Sequence, residues 1–167
     1  MKPQEFVDAF LPFAKETEAK TGISAIAVLA QAALESGWGA MAIGNMFFGV
    51  KASKNTPDDK KQLITTTEYS KRNDLKFPEI ISITQQPNGN YKYRIKDWFR
   101  KYDSPEESFT DHTKFFLDNP RYSEAVKVGN DCNAFIDAIA AAGYATDPNY
   151  ASLLKGVAKS VERCITT

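Results

Sequence analysis

Histidine and cysteine are scarce in this 167-residue sequence, which contains one histidine, His112, and two cysteines, Cys132 and Cys164. So sparse a set of side chains gives little support to a zinc site or to a Ser-His-Asp triad. Two cysteines are also too few for a disulfide scaffold, and the sequence is compatible with one bridge or with two free thiols. Any catalysis is therefore expected to depend on carboxylates.

Net charge and long apolar runs are absent as well. The 21 basic and 21 acidic side chains cancel, so we expect no electrostatic attraction to nucleic acid or to anionic lipid. No apolar run approaches the roughly 20 residues of a membrane-spanning helix, which argues against membrane insertion. No apolar segment follows residues 1–5, and a cleavable secretory signal is therefore not expected.

The composition is otherwise that of an ordinary globular protein, with 43% apolar, 25% charged and 12% aromatic residues. A chain of this length fits a single domain over residues 1–167. Aromatic rings would suit a domain that binds sugars, although core packing is their commoner use.

Two helices are predicted in the N-terminal part of the chain. An amphipathic helix over residues 4–20 ends at Gly22, and Ser24 caps a second helix that runs to about Ser36. The second helix is apolar nearly all round, which is typical of a central buried helix. The apolar face of the first helix consists of Phe6, Phe10, Phe13 and Ala14.

Helices also dominate the C-terminal part. Residues 104–107 (SPEE) form a capping box with proline at the first helical position, and this helix breaks near residues 119–120. Another helix spans about 131–142 and stops at Gly143, and residues 147–148 start the last one. The apolar face of the last helix consists of Tyr150, Leu154, Val157 and Val161.

The middle of the chain has strand character. Residues 63–69, 79–85 and 90–99 are rich in β-branched residues or alternate in polarity, and residues 87–89 (PNG) supply a turn. The sequence therefore predicts an α+β fold that is mainly helical, with a small antiparallel β lobe over about 62–100.

Glu35 is the candidate catalytic residue, because it ends the apolar helix and precedes a tryptophan between two glycines. Apolar surroundings and the negative end of the helix dipole both disfavour a charged carboxylate, and both therefore raise its pKa. A carboxyl that keeps its proton near neutral pH suits general acid catalysis of glycosidic-bond cleavage. The flanking glycines would leave Trp38 free to line a cleft. The alternative is a helix-terminal glutamate that is simply exposed to solvent.

Five blocks carry a family resemblance and occur in the order that the family has. They are AQAALESGWG at 30–39, NMFFGVKA at 45–52, TTTEY at 65–69, NPRY at 119–122 and AGYATDPNY at 142–150. On these blocks the chain resembles glycoside hydrolase family 73, the peptidoglycan N-acetylglucosaminidases of flagellar rod-assembly muramidase domains and bacterial autolysins. One block could arise by accident, whereas five in order span most of the chain.

The resemblance implies a lysozyme-like fold, with a cleft between a helical lobe and a β-hairpin lobe. It also implies cleavage of the β-1,4 bond between N-acetylglucosamine and N-acetylmuramic acid, without a metal or an organic cofactor. Glu35 matches the catalytic acid, Glu68 the second carboxylate and Tyr144 a tyrosine near the reaction centre. The implied substrate-binding residues are Trp38, Asn45, Phe48 and Tyr122. The β region between Glu68 and Trp98 looks longer than in compact members, which leaves the placement of Glu68 open.

Several of these residues also have simpler structural interpretations. Glu68 fits a solvent-facing strand position, Tyr144 fits packing between two helices, and Asn45 fits a role in ordering its loop. His112 lies on a polar stretch of helix and is predicted to be a surface residue. Residues 58–59 (DD) lack the regular ligand spacing of a calcium site and are predicted to form a solvated loop.

The mechanism and the exact bond stay open at the sequence level. The separation of the two carboxyl groups would distinguish an inverting from a retaining enzyme, and the 2-acetamido group of the substrate is another candidate nucleophile. A muramidase or lytic transglycosylase of the same fold is the alternative enzyme, and a cell-wall binding module without catalysis is the alternative of another class.

The expected partner is the glycan strand of peptidoglycan, bound by a monomer. Because that substrate lies outside the cytoplasmic membrane, we expect either that the sequence is a fragment of a longer protein or that delivery is by a flagellar export apparatus, a phage particle or a contact-dependent secretion system. In the last case the producer is expected to make an immunity protein that occludes the cleft.

Overall fold

The computed structural model describes residues 1–166 as two compact units. The helical lobe comprises residues 1–48 and 102–166, and the β lobe comprises Gly49–Lys101. The predicted α+β fold with a helical majority is confirmed. The prediction of a single catalytic domain over 1–167 remains a prediction, and its last residue lies outside the described part.

The two N-terminal helices form where the sequence predicts them. Helix α1 spans Pro3–Thr21 and ends at Gly22, whose left-handed φ of 77° is one that glycine adopts without strain. Helix α2 spans Ala25–Ser36, and the Ser24 side chain accepts a hydrogen bond from the Ala27 N–H at its start. Nine of the twelve residues of α2 are buried, so α2 is the central helix that its composition predicts.

Four further helices follow the β lobe within the described residues. Helix α3 spans Pro105–Asp118, α4 spans Ser123–Lys127, α5 spans Cys132–Ala141 and α6 spans Tyr150–Thr166. Short 3₁₀ turns lie at Ile43–Asn45, Asp58–Lys60 and Pro120–Tyr122. Helix α4 and these turns were not predicted, because segments of three to five residues leave no measurable periodicity.

Helix α3 starts where predicted but differs in one capping hydrogen bond, and α6 starts later than predicted. At α3 the Ser104 side chain accepts from the Glu107 N–H as a capping box requires, but the Glu107 carboxylate accepts from the Asp103 N–H. Helix α6 begins at Tyr150 rather than at 147–148, because the Asp147 carboxylate accepts from the Asn149 N–H and holds a turn there.

The core of the helical lobe is dominated by aromatic side chains in contact. Phe47 packs edge-on against Phe109 at a centroid distance of 4.9 Å and against Phe10 at 5.1 Å. Phe6 lies beside the same cluster at 4.9 Å from Phe10. Such edge-to-face pairs add about 0.5–1.5 kcal/mol each beyond the burial of their area. They anchor α1, α3 and the segment after α2 around the buried helix.

The β lobe contains an antiparallel sheet of three strands within its described residues. Strands β1 (Lys61–Ser70) and β2 (Glu79–Gln85) both pair with β3 (Tyr91–Arg100), in the order β1-β3-β2. The predicted turn at 87–89 connects β2 to β3, with Gly89 at a φ of 87°. All three predicted strands are confirmed within two residues at each end.

Candidate active site

Glu35 is the penultimate residue of α2, at the end where the backbone carbonyls point outward. The helix stops because Gly37 takes a left-handed conformation and its N–H donates to the Ala33 carbonyl. The residue as a whole is exposed, yet its carboxyl is partly desolvated, and this burial raises the pKa of Glu35 above its ordinary value of 4.5. The sequence also predicts that the pKa of Glu35 is raised.

No ion pair among residues 1–166 includes Glu35. Its electrostatic neighbours are instead two tyrosines, Tyr144 and Tyr150. Burial raises the pKa of both phenols, to about 12 for Tyr150, and the charge of Glu35 raises both pKa values further. Both phenols are therefore neutral at physiological pH, and no cation within the described part of the chain offsets the cost of ionising Glu35.

The two tyrosines belong to a set of four side chains linked by hydrogen bonds and a ring contact, here called the tyrosine chain. Gln31 Nε2 donates to Tyr150 Oη at 3.3 Å, and the ring centroids of Tyr144 and Tyr150 lie 5.5 Å apart. His112 Nε2 lies 2.9 Å from Tyr144 Oη. The chain draws its members from α2, α6, the loop before α6, and α3.

His112 is not the surface residue that the sequence predicts. Its ring stacks on Phe48 at 3.8 Å with an interplanar angle of 4°, and it meets Phe116 edge-on at 5.4 Å. Burial lowers the pKa of His112 to about 4, so the imidazole is neutral at pH 7. The prediction failed because polar neighbours were given more weight than position. Phe109, His112 and Phe116 are three and four residues apart and therefore share one face of α3.

The turn that presents Tyr144 is fixed by an arginine clamp. Arg121 Nε donates to the Ala142 carbonyl at 2.5 Å, and a second guanidinium nitrogen donates to the Gly143 carbonyl at 3.3 Å. Gly143 has a φ of 82°, and a Cβ there would lie 2.6 Å from the guanidinium. The NPRY and AGY blocks of the sequence therefore meet in space, which explains why both accompany the same site.

The predicted substrate-binding residues have other contacts in the helical lobe. Trp38 is half-buried, has a φ of 54°, and packs edge-on against Phe6 at 5.5 Å. Asn45 Nδ2 donates to the Tyr102 carbonyl at 3.1 Å, which is the loop-ordering role that its alternative interpretation predicts. Tyr122 is only 2% exposed, so its burial does not favour a direct contact with sugar. Substrate binding by these residues stays a prediction.

Glu68 lies on β1 of the β lobe, opposite Tyr93 of β3. Its carboxylate pairs with Lys51 Nζ at 2.6 Å, and the same ammonium lies 3.3 Å from Asp97. These two carboxylates raise the pKa of Lys51, the Glu68 hydrogen bond contributing most. Lys51 lies in the NMFFGVKA block, but no role was predicted for it, because its partners Glu68 and Asp97 lie on the distant segments β1 and β3.

No metal centre or membrane span is found in residues 1–166. No group of three or more histidine, cysteine, aspartate or glutamate side chains is placed to hold a metal ion there. No helix within the same range is long and apolar enough to cross a membrane. Cys132 and Cys164 are half-buried and form no disulfide within the described residues, and burial raises the pKa of the Cys132 thiol to about 11.

An α+β fold whose helix-terminal carboxyl has a raised pKa and two neutral phenols as electrostatic neighbours fits the class of glycoside hydrolases. A family model described as mannosyl-glycoprotein endo-beta-N-acetylglucosaminidase matches residues 11–163. The chain therefore belongs to the glucosaminidase family, and the resemblance found in the sequence is confirmed.

Known proteins of this kind support both the family and the fold. The peptidoglycan hydrolase FlgJ of Vibrio parahaemolyticus is 32% identical over 166 residues, which cover 96% of this chain and 48% of that protein. The solved glycoside hydrolase domain of FlgJ from Salmonella typhimurium has a TM-score of 0.73 and 28% identity, covering 99% of this chain and 92% of that domain. The lysozyme-like fold is thereby confirmed.

A more distant structure shares the fold alone. It comes from a type VI secretion system effector-immunity complex of Pseudomonas protegens, with a TM-score of 0.58, 19% identity and coverage of 100% of this chain and 96% of that one. The chain spans about half the length, or less, of the curated relatives that it matches first.

Sequence reasoning missed three members of the tyrosine chain. Gln31 is the only polar residue between Ser24 and Glu35, so its placement in an apolar helix was a usable signal for a buried hydrogen bond. Tyr150 was assigned to an apolar face, and its hydroxyl was overlooked. His112 was placed at the surface.

Proposed function

We propose that the chain hydrolyses peptidoglycan by cleaving the β-1,4 bond between N-acetylglucosamine and N-acetylmuramic acid. The observation that carries this proposal is the protonatable Glu35 carboxyl, desolvated and unpaired among the described residues, beside two neutral phenols. Membership of the glucosaminidase family and similarity to peptidoglycan hydrolases support the choice of bond and substrate. The site of action is accordingly the bacterial cell wall.

In the proposed reaction Glu35 is the general acid. It donates its proton to the glycosidic oxygen while the bond from that oxygen to the anomeric carbon breaks, and positive charge develops on the sugar ring. The raised pKa of Glu35 keeps a larger fraction of the enzyme in the required protonated form near neutral pH. The leaving sugar departs as an alcohol, and Glu35 is left as a carboxylate.

Glu68 is proposed as the second carboxylate. It would stabilise the positive charge of the transition state or take a proton from the attacking water. Its ion pair with Lys51 holds the side chain on the sheet while leaving about a third of it exposed. Residues 1–166 are proposed to form the catalytic domain, with Gly49–Lys101 as the lobe that carries Glu68.

Analysis of digestion products tests this function directly. Purified sacculi are incubated with the protein, and the released muropeptides are reduced with borohydride and identified by mass spectrometry. We expect reduced N-acetylglucosamine at the new ends, because the proposed bond leaves that sugar with the free anomeric carbon. Product ends are the measurement, so the result does not depend on the rate.

The same experiment separates the alternatives. Reduced N-acetylmuramic acid ends would replace the proposal by a muramidase, and 1,6-anhydro ends would replace it by a lytic transglycosylase. Binding to sacculi without any new ends would indicate a cell-wall binding module. Each of these outcomes contradicts the proposed bond specificity.

The delivery route and the partner are proposed separately. We propose export by a secretion system, a flagellar apparatus or a phage, and in the first case an immunity protein that occludes the substrate site. The fold shared with the effector-immunity complex supports this part of the proposal. Tagged protein incubated with lysate of the producing cell is expected to retain one protein that abolishes sacculus hydrolysis at equimolar amounts. Failure to recover an inhibitor would contradict the proposed immunity partner but would not contradict the proposed hydrolase activity.

A further inference from the structure

The zero net charge of the chain is divided unequally between its two units. With histidine counted as neutral, Gly49–Lys101 contains 12 basic and six acidic side chains, so the β lobe carries a net charge of +6. The rest of the chain contains nine basic and 15 acidic side chains, which gives a net charge of −6. Charge asymmetry within one chain indicates a surface that binds a charged partner. The cations of the β lobe are therefore candidates for such a surface.

One face of the β sheet carries five of these cations. Successive residues of a strand point to opposite faces, so the strand register assigns every side chain to one face or the other. Glu79 is the one acid that β1, β2 and β3 place on this face, where it lies opposite Lys96. Glu68 and Asp97 lie on the opposite face. The cations, which define the surface here called the basic face, are Lys61, Lys92, Arg94, Lys96 and Arg100.

Contacts between side chains agree with this assignment. Arg94 Nη1 donates to Thr67 Oγ1 at 3.0 Å, and Lys61 Nζ lies 4.9 Å from the centroid of the Trp98 ring. Lys92 and Arg94 are exposed, and neither forms an ion pair with another residue of 1–166. Their two positive charges are therefore available to an anionic partner.

Apolar and hydroxyl side chains lie among these charges. On β1 the basic face presents Leu63 and Tyr69, which are 43% and 63% exposed, and Thr65 and Thr67 lie between them. Trp98 of β3, opposite Leu63, is 39% exposed. At about 3.3 Å per residue, Leu63 and Tyr69 are about 20 Å apart, so the face can take an extended chain. Cations beside exposed aromatic rings favour a partner that combines carboxylates with less polar groups.

We propose that the basic face binds the carboxylate-bearing peptide stems of peptidoglycan, on the side of the sheet opposite Glu68. Charge complementarity is the argument for this partner, because the stems have free carboxylates, which arginine and lysine bind. Amide and methyl groups of the stems match the threonine hydroxyls and the apolar side chains. A second contact with the wall raises the effective concentration of the glycan strand at the catalytic site. The identity of the polymer rests on the proposed hydrolase function, whereas carboxylate binding by this face does not.

Charge reversal on the basic face tests the proposal. Lys92→Glu combined with Arg94→Glu is compared with Lys71→Glu combined with Lys76→Glu, which makes the same change in charge at two exposed residues between β1 and β2. All proteins also carry Glu35→Gln so that sacculi are not digested, and binding is measured by co-sedimentation. We expect reversal on the basic face to raise the Kd for sacculi by a factor of about ten or more, and the control to stay within about twofold.

A milder pair of substitutions separates binding from folding. Lys92→Gln with Arg94→Gln removes the charges without adding repulsion, and is expected to raise Kd about threefold at an unchanged Tm. Raising NaCl from about 0.05 M to about 0.5 M is expected to weaken wild-type binding and to narrow its difference from both variants. Equal Kd values in the wild type and both variants, or the same loss in the Lys71 and Lys76 control, would overturn the proposal.

Chemical modification of the sacculi identifies the bound group. Amidation of the stem carboxylates with carbodiimide and ethanolamine is expected to remove the advantage of the wild type, whereas removal of phosphodiester polymers with hydrofluoric acid is expected to preserve it. The reverse result would overturn the peptide stems in favour of a phosphate polymer. A salt-dependent dimer in sedimentation velocity that the charge reversal abolishes would overturn them in favour of the acidic residues of a second copy.

Catalysis on a substrate without peptide separates this surface from the reaction. With Glu35 intact, Lys92→Glu with Arg94→Glu is expected to cleave soluble glycan strands stripped of their stems with kcat/KM within about twofold of the wild type. A larger loss on these strands would overturn the separation of the basic face from the catalytic site. If the wild type releases no products from sacculi, the proposed function fails, and the binding comparison still decides the basic face.

Discussion

Replacing Glu35 with glutamine is expected to lower kcat for peptidoglycan cleavage by at least about 10³-fold, within the usual range for loss of a general acid. Glutamine has nearly the same shape as glutamate but has no proton to transfer to the leaving oxygen. Because only the transition state needs that proton, KM is expected to change little. The measurement is the release of reducing ends from soluble fragments under saturating substrate.

The pH dependence should identify the same group. A general acid works in its protonated form, so kcat/KM of the wild type falls as pH rises through the pKa of Glu35. Since burial raises that pKa, the fall begins at a higher pH than an ordinary glutamate would give. The residual activity of Glu35→Gln is expected to lack this alkaline limb.

The stability of the Glu35 variant is expected to move in the opposite direction from its activity. A folded-state pKa above the unfolded value means that ionisation of Glu35 destabilises the fold as pH rises through that interval. Glutamine removes the charge, so Tm at pH 7 should equal or exceed that of the wild type. Active sites commonly trade stability for function in this way.

A matched control comes from an exposed glutamate of the same lobe. Glu124 is 80% exposed at its side chain and pairs with Lys127 on its own helix, so Glu124→Gln makes the same chemical change at a position other than Glu35. We expect it to retain activity within twofold. Near-wild-type activity in Glu35→Gln, or equal losses in both variants, would refute the assignment of Glu35 as the acid.

The helices and strands were predictable because local signals agree with the final fold. Glycine at 22 and 143, serine at 24 and the PNG turn each fix a boundary through backbone conformation or capping, which neighbouring residues suffice to specify. The predictions were wrong where the structure depends on a short segment or on a single side chain. Because a turn precedes α6, this helix begins at Tyr150 and not at the predicted 147–148.

The environment of Glu35 was predictable in direction, and its partners were not. An apolar helix ending in a glutamate predicts desolvation from sequence alone, and the raised pKa agrees. The tyrosine chain joins residues up to 119 positions apart, and no local pattern encodes which hydroxyl meets which nitrogen. A buried hydrogen-bond network can be recognised only when all its members are located in the structure, because each polar group needs another as its hydrogen-bond partner.

The register of the sheet likewise could not be predicted from local sequence. Glu68 was predicted to lie on a strand, but its pairing opposite Tyr93 depends on β1 pairing directly with β3, although β2 lies between them in the sequence. Tyr93 in turn is fully buried, and its hydroxyl donates to the Arg72 carbonyl at the segment that joins β1 to β2. A hydrogen bond therefore connects the segment between β1 and β2, which lengthens the β region, to β3, the strand that pairs with β1 at Glu68.

The two carboxylates have contrasting surroundings, which suits different roles. Glu35 has neutral phenols as its electrostatic neighbours, whereas Glu68 is held in an ion pair with Lys51. In enzymes, different environments can give two carboxyl groups different pKa values, so that one acts as an acid and the other as a base at the same pH. For the proposed reaction this contrast favours Glu35 as the proton donor and Glu68 as the second carboxylate.

Replacing Glu68 with glutamine is accordingly expected to lower kcat by about 10²-fold, less than the loss at Glu35, because water attack retains some rate without its base. The variant should fold, since Lys51 keeps Asp97 as a partner at 3.3 Å. If the 2-acetamido group of the substrate is the nucleophile, Glu68 stabilises charge only, and the loss should shrink to about tenfold. Rates on soluble fragments, with Tm measured alongside, distinguish these magnitudes.

Glu79 on β2 supplies the matched control for this second carboxylate. Its side chain pairs with Lys96 of the same sheet at 3.3 Å, and both side chains are largely exposed, so Glu79→Gln breaks an equivalent strand ion pair without touching Glu68. Exposed ion pairs of this kind contribute at most about 1 kcal/mol, and activity should stay within twofold. A loss below threefold in Glu68→Gln, or the same loss in Glu79→Gln, would remove Glu68 from the reaction and leave Glu35 as the sole catalytic carboxylate.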